Sequence, residues 1–112
     1  MSTAELQQLE LNIKQAQKIV DQDDALARLR SNRDFKKVVM EGFFEQEAIR
    51  LVSLLTDENM QSPEKQNSIH RQMIAVSGFR DYLDTLAIRA TMARHAVDAD
   101  EATRDEILAE GQ

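Results

Sequence analysis

The sequence contains no cysteine, which excludes a disulfide framework, a thiolate zinc site and a cysteine nucleophile. The redox compartment therefore leaves no mark, and a reducing cytoplasm is the default expectation. A single proline and three isolated glycines, Gly42, Gly78 and Gly111, leave no Gly-rich phosphate loop and few breaks in the chain. β-Branched residues are scattered, which argues against a sheet, and the only aromatic within the basic residues 28–37 is Phe35, which the apolar pattern claims for the core, so no stacking platform for single strands is expected. No apolar run approaches the ~20 residues of a membrane-spanning helix. The first residues, "MSTAELQQLE", lack the basic then apolar profile of a signal peptide. The expectation is a soluble, unexported chain with no membrane partner.

What remains is rich in Ala, Leu, Gln, Glu, Arg and Met, the composition of helices. The 112 residues fit one domain. The predicted fold is all-α, a helical bundle or hairpin with a long C-terminal heptad-patterned helix. Net charge is −6, but from residue 98 onward six acids stand against Arg104 alone, so the last fifteen residues carry −5 and the rest about −1. The expected organisation is a single helical domain over 1–97 and an acidic tail over 98–112. A near-neutral body argues only weakly against an anionic partner.

Ser2 and Glu5 have capping-box spacing, and Leu6, Leu9, Ile13, Ala16 and Val20 follow at steps of three and four, predicting a first amphipathic helix. Acids in "DQDD", Asp21 to Asp24, oppose a helix C-terminus and make good N-caps, so a break and a short restart over "ALARLR" are expected there. Ser31 or Asn32 can cap the next helix, which carries Phe35, Val38, Val39, Met40, Phe43, Phe44, Ala48, Leu51, Val52 and Leu55. Phe43 and Phe44 point about 100° apart, so burying both requires a widely covered helix.

The clearest boundary is "TDENMQSP", where Ser62 precedes a proline suited to the first helical position. Beyond it Ile69, Val76, Leu83, Ala90 and Val97 recur every seven residues, interleaved with Gln72, Phe79, Leu86 and Ala93 as a and d positions. An unbroken helix from Pro63 to Val97 would span ~50 Å, against roughly 35 Å for a sphere of this chain length. Either Ser77–Gly78 breaks it and the halves fold back, or it continues and pairs with helix one or another copy. The register passes Gly78 without a slip, which favours continuity. Val76, Phe79, Leu83, Leu86, Ala90 and Ala93 are then the candidate interface.

Site chemistry is sparse. His70 and His95 stand 25 residues apart, too far to share a metal on one straight helix, and Asn67 and Met92 occupy the positions where a di-iron motif needs glutamate. "DADEATRDE" fails as a calcium loop, with Thr103 at the glycine position and Ala109 at the bidentate acid. No catalytic residue, cofactor or metal is expected, and the chain is read as a non-enzyme. Arg28, Arg30, Arg33, Lys36 and Lys37 fall within ten residues and are possible phosphate contacts. Asp34, Glu41 and Glu45 nearby also suit a solvated face of i,i+4 pairs.

At "SNRDFKKVVMEGFFEQEAIRLVSLLTDENMQSPEKQNSIHRQM", residues 31–73, the sequence resembles small helical proteins encoded by tailed bacteriophages in the head and DNA-packaging gene region. The resemblance implies a virion component or assembly factor, in the bacterial host cytoplasm or the particle, and carries over no functional residue. The leading expectation is a non-enzymatic phage structural or assembly protein acting through self-association and protein binding, a homo-oligomer with other phage or host proteins as further partners. Two alternatives stand beside it: a nucleic-acid-binding, small-terminase-like packaging factor using the basic cluster, and a small inhibitor of a host protein whose acidic tail mimics nucleic acid. No helix-turn-helix reading unit supports the packaging assignment.

Overall fold

The computed structural model describes residues 3–111, so the predicted cap at Ser2 lies outside the described residues. The fold is all-α, and no strand occurs among the described residues. Helix α1 (Thr3–Arg30) carries Glu5 in its first turn and Arg28 and Arg30 in its last, the distribution the macrodipole favours. Leu6, Leu9, Ile13, Ala16, Val20 and Leu26 form its covered stripe.

The break expected at Asp21 to Asp24 is absent, and "ALARLR" is the last part of α1. The reason lies across the helix pair. Arg94 donates to Asp23 Oδ2 and Asp24 Oδ1, both at 2.9 Å, and supplies the positive charge that an unaccompanied run of acids would lack.

Helix α1 ends at Ser31 and Asn32. The Asn32 side-chain oxygen accepts from Phe35 N at 2.9 Å, so Asn32 is the cap of the next helix. That helix begins as α2 (Arg33–Phe35), continues as a π-helical segment (Lys36–Glu47) and finishes as α3 (Ala48–Leu55). Both junction residues, Lys36 and Ala48, keep right-handed helical dihedrals, so the chain runs through without a turn.

A π turn closes on the fifth residue and so holds between four and five residues. Phe35, Val39 and Met40, Phe44 and Ala48 recur at that spacing, and all are buried or half-buried. An α-helix would rotate this stripe away from its neighbour, whereas the wider turn keeps it facing inward. Val38, counted in the apolar pattern, stays exposed.

The connection to the last helix is tied by side chains. Asp57 caps a 3-10 turn (Glu58–Met60) by accepting from Asn59 N at 2.8 Å. Gln61 and Gln66 both donate to the terminal Leu55 carbonyl, at 3.0 and 3.2 Å, satisfying an oxygen that α3 leaves without an intrahelical partner. Ser62 Oγ then accepts from Lys65 N at 3.3 Å, and Pro63 opens α4.

Helix α4 (Pro63–Glu110) runs for 48 residues. It passes Ser77 and Gly78 without interruption, and the acidic residues from Asp98 onward continue it. A Cβ placed on Gly78 would meet nothing within 4 Å, so no packing demand explains a glycine there.

The chain divides into two units. In the first, residues up to Leu26 pack against those from Thr85 on, with Val20, Leu26, Ala90, Ala93 and Val97 buried. The helices are antiparallel here, since Asp23 meets Arg94 while Asn12 shares a groove with Asp100. The second unit spans Ala27–Asp84, where α2, the π segment and α3 pack against the first part of α4. Its core is Phe44, Leu51, Ile69, Val76 and Leu83, with Leu51 and Ile69 fully buried.

Candidate interaction surfaces

The five a positions of α4 are all buried, from 0% exposure at Ile69 and Ala90 to 7% at Val76 and Val97. Within the second unit the d positions turn outward, with Gln72 exposed and Phe79 38% exposed. Within the first unit Leu86 is half-buried and Ala93 buried. The residues predicted as an interface are therefore covered by helices of the same chain, apart from Phe79. Its ring rests on Phe44 and Phe43, at centroid distances of 5.4 and 6.1 Å, and leaves one side open.

An apolar groove of about 210 Å³ runs along the second unit between Phe44, Ala48 and Val52 on one helix and Met73, Ser77 and Arg80 on α4. A neighbouring hollow of about 190 Å³ brings Arg30 and Arg80 together with Glu45 and Asp84. Arg30 lies 4.0 Å from Asp84, and its Nε is buried without a hydrogen-bond partner. The structure thus draws Arg30 out of the predicted basic cluster and leaves the other four cations on the surface. Arg28, Arg33, Lys36 and Lys37 are all exposed, and none forms an ion pair among the described residues.

The first unit carries a wider, open groove of about 490 Å³ between the two antiparallel helices. Ala16 and Ile19 of α1 and Met92, Ala93 and Ala96 of α4 line it, with Arg89 and Asp100 at its ends. Met92 is 69% exposed and Ile88 beside it 63%. Sequence reasoning missed this groove because Arg89, Ala96 and Asp100 lie off the heptad seam. The signal was a pair of alanines, Ala93 and Ala96, set between opposite charges at Arg89 and Asp100.

No polar or charged residue is buried as a whole among the described residues, although Arg30 Nε is. His70 and His95 are both exposed, and no group of three or more His, Cys, Asp or Glu gathers among the described residues. Glu47 is paired along its own helix with Arg50, whose Nε donates at 3.0 Å, and this hydrogen bond holds the carboxyl below its ordinary range. These arrangements suit binding through side-chain surfaces. No helix among the described residues is long and apolar enough to cross a membrane. Comparison of the chain with protein families, curated proteins and solved structures gives no match.

Proposed function

We propose that the chain is a non-enzymatic structural or assembly protein that works by helix–helix self-association and protein binding. The observation that carries this reading is its surface. Each unit leaves large apolar side chains open: Ile49, Val52 and Ile74 in the second unit and Ile88 and Met92 in the first are all more than half exposed.

Two-layered helix pairs cannot cover both helices on all sides, and the uncovered apolar surface is stabilised by a further layer. A second copy or another protein supplies that layer in this reading. In this reading the chain acts in phage head assembly, in the host cytoplasm or the particle, which the resemblance of residues 31–73 to small phage proteins supports. An oligomer's unfolding depends on protomer concentration, so the thermal midpoint should rise over a hundredfold increase in protein. A midpoint independent of concentration would remove this reading.

A second reading is favoured by the four exposed, unpaired cations Arg28, Arg33, Lys36 and Lys37. Under it the junction of α1 and α2 binds phosphates, as a DNA-packaging factor requires. Binding to duplex DNA would then weaken steeply with salt, and replacing the four cations by glutamine would flatten that dependence.

A further inference from the structure

Arg89, Ala93, Ala96 and Asp100 lie four, three and four residues apart, which sets them in one line along α4. The line spans about 16 Å at 1.5 Å per residue. Its spacing reads the same from either end, while the charges at the two ends are opposite. Arg89 is exposed and Asp100 half-buried, and neither forms an ion pair among the described residues.

We propose that a second copy of this chain docks in the first-unit groove by a two-fold contact, with Arg89 of each copy paired to Asp100 of the other. The inference rests on the self-association reading and gives it a surface and a partner. When α4 meets its own copy in antiparallel orientation about a point between Ala93 and Ala96, both unpaired charges find an opposite partner, twice per dimer. A parallel arrangement would set arginine on arginine. Charge complementarity therefore selects both the copy and its direction.

The centre of the groove fits the same geometry. Ala96 is exposed at the centre of the groove, and Ala93, already covered within the chain, lies at its floor, so little side-chain bulk stands in the way of a second helix. Met92 and Ile88, more than 60% exposed in the single chain, become covered at the flanks. The α1 wall of the groove, Ala16 and Ile19, completes an apolar floor. Two antiparallel helix pairs joined in this way form a four-helix layer that covers these apolar side chains.

Charge reversal in the full chain tests this pairing. Arg89→Asp makes both inter-copy contacts acid on acid, and Asp100→Arg makes both base on base. Each variant alone should associate about a hundredfold more weakly, because juxtaposed like charges cost several kcal/mol. An equal mixture of the two should form a heterodimer, since the Arg89→Asp chain presents two acids and the Asp100→Arg chain two bases. Sedimentation equilibrium would read all three samples, with circular dichroism melts checking that each variant folds.

Loss in both single variants with recovery in the mixture supports the proposal. A native chain that associates while neither reversal weakens it overturns this surface and leaves self-association standing. Loss without recovery overturns the two-fold pairing. A native chain that stays single at every concentration, or associates only with a different protein, overturns the proposal and removes the self-association reading as well.

Discussion

Arg94 on α4 lies 2.9 Å from Asp23 on α1, and its second terminal nitrogen lies 2.9 Å from Asp24. One guanidinium thus answers two acids that stand 70 and 71 residues away in sequence. The hydrogen bond to Asp23 raises the arginine's pKa further above its ordinary value, so the cation is fixed at any working pH. Replacing Arg94 by methionine keeps the stem but removes the charge. The urea midpoint should fall by a small, measurable amount with an unchanged slope. The fall should disappear in about 1 M salt, because these partly exposed pairs are screened.

Gly78 offers a gain in stability. It sits inside α4 with open space where a methyl would stand. Gly78→Ala should raise unfolding stability by about 1 kcal/mol, the usual difference between the two residues in a helix interior. Gly42→Ala should gain less, because a Cβ there would lie 3.1 Å from the Lys37 carbonyl oxygen across the π turn. Chemical denaturation of both variants checks the order.

Leu51 and Ile49 lie two residues apart on α3 and differ completely in cover, at 0% and 68% exposure. Leu51→Ala should destabilise the chain by roughly 2–5 kcal/mol, combining lost transfer energy with a cavity. Ile49→Ala should change the stability of the single chain by no more than about 0.5 kcal/mol. Comparable losses at both positions would contradict the packing of the second unit.

Acid should weaken the Glu47–Arg50 pair in a defined direction. The bond from Arg50 lowers the Glu47 pKa below its ordinary 4.5 in the folded chain. The contribution is therefore complete above that ordinary value and is lost as pH falls through the lower folded value. Glu47→Gln should remove this part of the acid sensitivity while leaving stability near neutral pH slightly reduced. Denaturation midpoints from pH 3 to 7 for both proteins would show the two curves converging as the pH falls.

The seam of α4 was legible in the sequence because burial follows a seven-residue repeat with little drift over the helix. Ile69, Val76, Leu83, Ala90 and Val97 needed only their spacing to be placed. The Ser62–Pro63 start was equally clear, since capping is local chemistry. Continuity at Asp21 to Asp24 was not legible, because the charge that compensates those acids comes from Arg94. The π segment escaped because a 3.6-residue template was applied to residues that repeat at four to five. The groove with Arg89 and Asp100 escaped for a related reason: seam reasoning looks at the covered line of a helix, and of this line only Ala93 belongs to the seam.

Absolute mass by light scattering after size exclusion, over a wide concentration range at moderate salt, tests the central claim most directly. Self-association predicts a mass of at least twice the 12.8 kDa of the single chain at the higher concentrations. A mass that remains at the single-chain value throughout would contradict it.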